Sequence, residues 1–126
     1  MAKIAVIDDD PDIVDATRIL LESRGYEVVS AGTVDESLEL VDTENPDLII
    51  LDVMLDEPDD GFYLANKFRK KGFQKPIIML TSVSRVLGYD FGKNEMVPID
   101  DFVEKPVPPA ELLDKVEHYL TQSHGG

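Results

Sequence analysis

Two rhythms of apolar and polar positions alternate along the chain. Lys3–Ile7, Leu48–Leu51 and Pro76–Leu80 are short, nearly continuous apolar runs. Such runs suit parallel strands covered on both faces. Tyr26–Ser30 and Asp101–Glu104 read as two further strands. Between the strands, apolar residues recur at helical spacing over Pro11–Arg24, Val34–Glu44, Gly61–Lys71 and Pro109–Gln122. Val83–Glu95 is a weaker helical stretch, interrupted by Gly88 and Gly92. Pro11 and Pro109 suit a first helical turn, Thr33 an N-cap, and Gly25 and Gly72 helix stops. In the first helix Ile13, Ala16, Thr17, Leu20 and Leu21 form a stripe expected to face the core. Ile19 falls off that stripe, among Asp15, Arg18 and Glu22.

Five strands alternating with five helices predict a doubly wound α/β domain with a parallel sheet. No repeat, linker or low-complexity segment interrupts the pattern. One domain is therefore expected over residues 1–122, with 123–126 as a disordered tail or a cloning remnant.

Composition narrows the possible functions. The chain has 126 residues, and 43% of them are hydrophobic, enough for one real core. Twelve Lys and Arg against 26 Asp and Glu leave a net charge of −14. So acidic a surface repels nucleic acid and anionic lipid, and direct DNA binding is not expected. The absence of Cys excludes disulfides and thiolate metal sites. No apolar run reaches the roughly 20 residues of a membrane span. Because strand-like sequence begins at Lys3, no signal peptide is expected, and the location is read as cytoplasmic.

In open α/β sheets, sites form beyond the carboxyl ends of the strands. Here the first strand runs into Asp8-Asp9-Asp10, the third into Asp52, the fourth into Thr81-Ser82 and the fifth into Lys105-Pro106. Only the second ends blandly, at Ser30-Ala31. Each feature alone reads as a cap, a turn or a solvated charge. All four at the strand ends of one small domain point to a common site. Crowded carboxylates repel one another unless a cation joins them, and hard oxygen ligands suit Mg²⁺. A carboxylate beside that ion is a nucleophile for a phosphoryl group. Lys105 and Thr81 would meet the developing charge.

Over essentially its whole length the sequence resembles the receiver domains of two-component response regulators. The matching motifs are Ile4-Ala5-Val6-Ile7-Asp8-Asp9-Asp10, Leu51-Asp52-Val53-Met54-Leu55, Ile78-Met79-Leu80-Thr81-Ser82 and Phe102-Val103-Glu104-Lys105-Pro106. The resemblance implies a flavodoxin-like (βα)5 fold with strand order 2-1-3-4-5. It implies that Asp52 accepts a phosphoryl group from the phosphohistidine of a sensor histidine kinase or phosphotransfer protein. Asp9 would ligate Mg²⁺ directly and Asp8 largely through water, with Asp52 and the Met54 backbone carbonyl completing the protein ligands. Thr81 and Lys105 would be the catalytic side chains, and Thr81 and Phe102 the switch. The Lys105–Pro106 bond is expected to be cis. The residues two after the acceptor and two after the Thr, Met54 and Val83, would govern autodephosphorylation. Neither holds a water well, so slow hydrolysis is expected. Region 82–106 would carry the change to an output partner or effector domain that the sequence does not name.

Two departures stand out. Asp60-Gly61 lies one residue further from Asp52 than the equivalent pair in such domains, which lengthens the acidic loop Asp56–Asp59. The stretch between Thr81 and Phe102 carries Gly88, Gly92 and Pro98 and lacks the Gly-Ala often found before the last strand. Asp10 is expected to face solvent, and His118 and His124 to be surface residues.

Rival readings fit less well. A phosphatase of the haloacid dehalogenase class needs its nucleophile after the first strand, in an Asp-x-Asp-x-Thr/Val pattern. Asp8 and Asp10 mimic the pair, but Asp12 stands where Thr or Val belongs. A flavodoxin needs a hydroxyl- and Gly-rich phosphate loop where this chain has three aspartates. A degenerate receiver would lack some of the five expected side chains. With no effector domain after the last helix, a stand-alone receiver or phosphorelay component is expected, with a truncated fragment as the main alternative.

Overall fold

The computed structural model describes residues 2–52, 60–81, 99–104 and 107–125. Its strands are β1 (Lys3–Ile7), β2 (Glu27–Ala31), β3 (Leu48–Asp52), β4 (Ile77–Thr81) and β5 (Asp101–Glu104). Its described helices are α1 (Pro11–Glu22), α2 (Val34–Glu44), α3 (Asp60–Lys70) and α4 (Pro109–Gly125). The five strands are parallel and ordered β2-β1-β3-β4-β5, the flavodoxin-like arrangement.

The predicted boundaries need small corrections. α1 ends at Glu22 rather than Arg24, because Ser23 and Arg24 already turn toward Gly25 at φ 86°. β2, α3 and β4 are displaced by one residue from Tyr26–Ser30, Gly61–Lys71 and Pro76–Leu80. Asp52 is the last residue of β3 rather than the residue after it. α4 continues past Gln122 to Gly125. The predicted helix Val83–Glu95 and the loop Asp56–Asp59 lie outside the described residues.

Local chemistry explains where the helices begin and stop. Asp10 caps α1 by accepting from the Asp12 amide at 2.9 Å, and Pro11 follows it at the first helical position. Thr33 caps α2, accepting from the Glu36 amide at 3.1 Å, while Glu36 accepts from the Gly32 amide at 3.2 Å. α2 stops at Asn45, held left-handed at φ 51°, a conformation that Asn tolerates better than most residues.

Alternation along the strands builds two cores. Ile4, Val6, Val28, Leu48, Ile50, Ile78, Leu80 and Val103 face α1 and α4, where Leu21, Leu112, Leu113, Val116 and Leu120 meet them. Ala5, Ile7, Ile49, Leu51, Ile77 and Met79 face α2 and α3, against Val41, Leu64, Ala65 and Phe68. The α1 stripe is rotated from its predicted position. Ala16 is exposed and Ile13 only half-buried, while Val14 packs against the core beside Leu20 and Leu21. Ile19 is 69% exposed.

At the sheet's β2 edge, Glu27 donates to Ala2 and Asp8 donates to Ala31. Residues 27 and 31 therefore turn their main chain toward β1, and Val28 and Ser30 turn theirs outward. Arg18 covers that edge, donating to the Val28 carbonyl at 3.2 Å and to Ser30 Oγ at 3.0 Å.

Candidate functional site

Pairing of β1 with β3 places Ile7 opposite Leu51, so Asp8 and Asp52 follow at neighbouring strand ends. Asp9 continues the turn out of β1. Carboxylate oxygens of Asp8, Asp9 and Asp52 all lie within 4.8 Å of one another. Asp8 is 4% exposed and Asp52 8%, whereas Asp9 is exposed. Two buried acids and one open to solvent thus form a cup at the carboxyl end of the sheet.

The cup is fastened by its own backbone. The Asp8 amide donates to the Ala31 carbonyl at 3.1 Å, tying the end of β1 to β2. Asp8 Oδ1 accepts from the Asp10 amide at 3.0 Å. Asp10 is exposed and caps α1, as its expected place in solvent requires.

The donor set suits one kind of ion. Three carboxylates are hard oxygen donors, with no imidazole or thiolate among them. Such donors match magnesium, which binds through a few carboxylates and keeps several waters. The three carboxylates therefore fit a magnesium ion.

Beyond the cup, Asp52 is paired with Leu80 and Leu80 with Val103, so β4 and β5 end beside β3. Thr81 closes β4 opposite Glu104. The Thr81 side chain, Met54, Val83 and Lys105, with its bond to Pro106, lie outside the described residues. Phe102 is half-buried on the α3 side of the sheet, against Phe62 at the start of α3. Their ring centroids are 6.3 Å apart and tilted by 54°. Sequence reasoning did not single out Phe62. Its position after Gly61 marks it as an early helix residue, but nothing local shows that it meets a strand 40 residues later.

A second network, also missed, holds the far end of β5. Arg69 donates to the Phe73 and Lys75 carbonyls at 3.0 and 2.8 Å, and to Asp100 Oδ2 at 3.1 Å. Asp100 Oδ2 also accepts from the Ile77 amide at 2.8 Å. Lys115 donates to Asp101 Oδ2 at 2.8 Å, and the Tyr119 hydroxyl lies 3.1 Å from the same oxygen. Burial and that hydrogen bond push the Tyr119 hydroxyl up to about 12. The Lys115 ammonium is also held above its ordinary value, chiefly by its bond to Asp101.

Residues 4–117 match the family described as "Response regulator receiver domain". Over 125 residues the chain is 38% identical to the alkaline phosphatase synthesis transcriptional regulatory protein PhoP of Bacillus subtilis (strain 168). That match covers 96% of this chain and 49% of PhoP, so the chain spans about half the length of this curated relative. A CheY-like response regulator receiver domain protein from Methanospirillum hungatei JF-1 superposes with a TM-score of 0.85 at 31% identity, covering 99% of this chain and 98% of that one. The BeF3-activated N-terminal receiver domain of Klebsiella pneumoniae RstA does so with a TM-score of 0.79 at 32% identity, covering 94% and 97%. Among the described residues no helix is long and apolar enough to cross a membrane. Fold, acidic cup and relatives agree: the chain belongs to the receiver domain family of two-component response regulators.

Proposed function

We propose that residues 1–122 form a phosphorylation switch whose acceptor is Asp52. The observation that carries this reading is the carboxylate cup itself, three Asp oxygens within 4.8 Å at the ends of β1 and β3. Asp8, Asp9, Asp52 and the Met54 carbonyl would hold magnesium, with Asp9 the direct side-chain ligand from the β1 turn. When bound, that ion supplies the positive charge that lets an anionic donor approach three carboxylates.

The donor is a phosphohistidine on a sensor kinase or phosphotransfer protein. An Asp52 carboxylate oxygen attacks phosphorus in line, forming an O–P bond as the donor's P–N bond breaks. The bonding pair returns to the donor imidazole. Lys105 pairs with the transferred group, and the Thr81 hydroxyl donates to one of its oxygens. Phe102 moves with Thr81, and region 82–106 presents the change to an output partner. The chain thus promotes its own phosphorylation and slow dephosphorylation and is not an enzyme acting on a separate substrate. By family resemblance it works in the cytoplasm. The BeF3-activated form of the RstA receiver domain supports use of the same phosphoryl mimic here.

The test is labelling by acetyl phosphate with Mg²⁺, read by intact mass and by borohydride trapping. One phosphoryl group on Asp52 is expected, and none on Asp52→Asn. Full labelling of Asp52→Asn would overturn the assignment.

A further inference from the structure

We propose that Phe62 is a positioning residue of the switch, its ring holding Phe102 in the inward-leaning arrangement that accompanies phosphorylation of Asp52. The proposal rests on the reading of Asp52 and Phe102 given above. β5 is an edge strand of the sheet. The buried face of α3 packs on strands inside that edge. Its buried residues Leu64, Ala65 and Phe68 share a core with Ile49 and Leu51 of β3 and Ile77 and Met79 of β4. Met79 is also the register partner of Phe102 on β4. A Phe102 ring in contact with α3 therefore leans over β4 toward the sheet interior, rather than away from the edge.

The contact has the geometry of an attractive aromatic pair, with centroids 6.3 Å apart and planes tilted by 54°. Both residues are half-buried. Phe62 also lies in the first turn of α3, where the chain arrives from the end of β3 and Asp52. The pair consequently joins the acceptor's own connection to the switch strand. An interaction made in only one of two arrangements biases the equilibrium between them, and by linkage it biases whatever binds that arrangement.

Beryllofluoride binding in excess Mg²⁺, titrated by ¹⁹F NMR, reads that bias. Phe62→Leu is expected to weaken apparent affinity about two- to tenfold, the range an aromatic pair supplies. Phe62→Tyr keeps the ring and is expected to bind like the parent. In a Phe102→Leu background, Phe62→Leu is expected to cost nothing further, because the partner ring is already gone. A merely structural loss would appear equally in both backgrounds. Unchanged or tighter binding by Phe62→Leu, or the same loss with and without Phe102, would overturn the proposal. Failure of the acceptor reading looks different: the parent would bind no beryllofluoride, or Asp52→Asn would bind it as well as the parent. Either result would overturn the acceptor assignment and this proposal with it.

Discussion

Asp9 and Asp10 are sequence neighbours that the fold assigns to different work. Asp9 stands in the cup with Asp8 and Asp52, whereas Asp10 spends its carboxylate on the first turn of α1. Asp9→Ala is therefore expected to lose most of the Mg²⁺ affinity and phosphorylation rate, with little effect on folding. Asp10→Ala is expected to bind Mg²⁺ nearly as the parent does, but to lose about 0.5–2 kcal/mol of stability with the cap. Calorimetric titration with Mg²⁺ and urea unfolding separate the two, and equal Mg²⁺ affinity in both variants would remove Asp9 from the ligand set. Met54 and Val83 carry a further expectation at this scale. Hydrolysis of an aspartyl phosphate needs a water held in line, and neither side chain is a good hydrogen-bond partner for it. Met54→Asn/Val83→Glu is expected to lose phosphate from Asp52 appreciably faster than the parent when decay is followed in Mg²⁺. Decay at the parent rate would end that account of the lifetime.

β5 is held in place in part by polar contacts from other elements. It lies at the sheet edge and spans only Asp101–Glu104. Arg69 and Asp100 anchor its entry from the α3 side, and Lys115 and Tyr119 grip Asp101 from α4. The Tyr119 hydroxyl has its ordinary value of 10.0 raised to about 12, first by burial and then by the bond to Asp101. A folded-state value above the unfolded one stabilises the fold fully below about pH 10, and that contribution is lost as pH rises through about 12. Lys115, raised from 10.5 by the same carboxylate, acts with the same sign. Tyr119→Phe is expected to be less stable than the parent near neutrality and to lose less stability across that alkaline window. Urea midpoints measured up to about pH 11.5 check this; parallel curves for parent and variant would mean that Tyr119 does not couple β5 to α4.

Across the whole molecule, charged groups gather at both ends of the sheet. The amino ends carry ion pairs such as Lys3 with Glu44 at 2.9 Å and Arg69 with Asp100 at 3.1 Å. The carboxyl ends gather the acids of the cup. In a chain of net charge −14, a cation or a phosphoryl-bound state at that end acts on a strongly charged surface and is felt locally. Beryllofluoride with Mg²⁺ is accordingly expected to alter amide exchange over residues 82–102 more than over β1 and β2. β1 is buried from Ile4 to Ile7 and paired on both sides, which leaves it little room to respond. Equal changes in β1 and in 82–102, or no change in 82–102, would exclude this route of switching.

What the sequence determined by itself was local. Apolar runs of strand length and helical spacings between them follow from burial and backbone period, and they placed β1, α2 and β5 with their observed bounds. The cap Thr33 acts within four residues of itself, and so does the stop at Gly72. The chemical character of the cup was legible for a related reason. Parallel strands all deliver their carboxyl ends to one side, so Asp8, Asp9 and Asp52 were bound to converge once the strands were recognised. The tertiary structure decided which faces meet. In α1, Val14 packs against the core and Ala16 is exposed, because, of two similar helical stripes, the packing against β1 and α4 selects the one through Val14, Thr17 and Leu21. Arg18 on the β2 edge, Arg69 with Asp100, and Phe62 against Phe102 join residues far apart in sequence. Each depends on the register and packing of two elements at once. The periodicity of a single segment carries no information about its partner, so such contacts exist only after the sheet and its two helical layers have assembled.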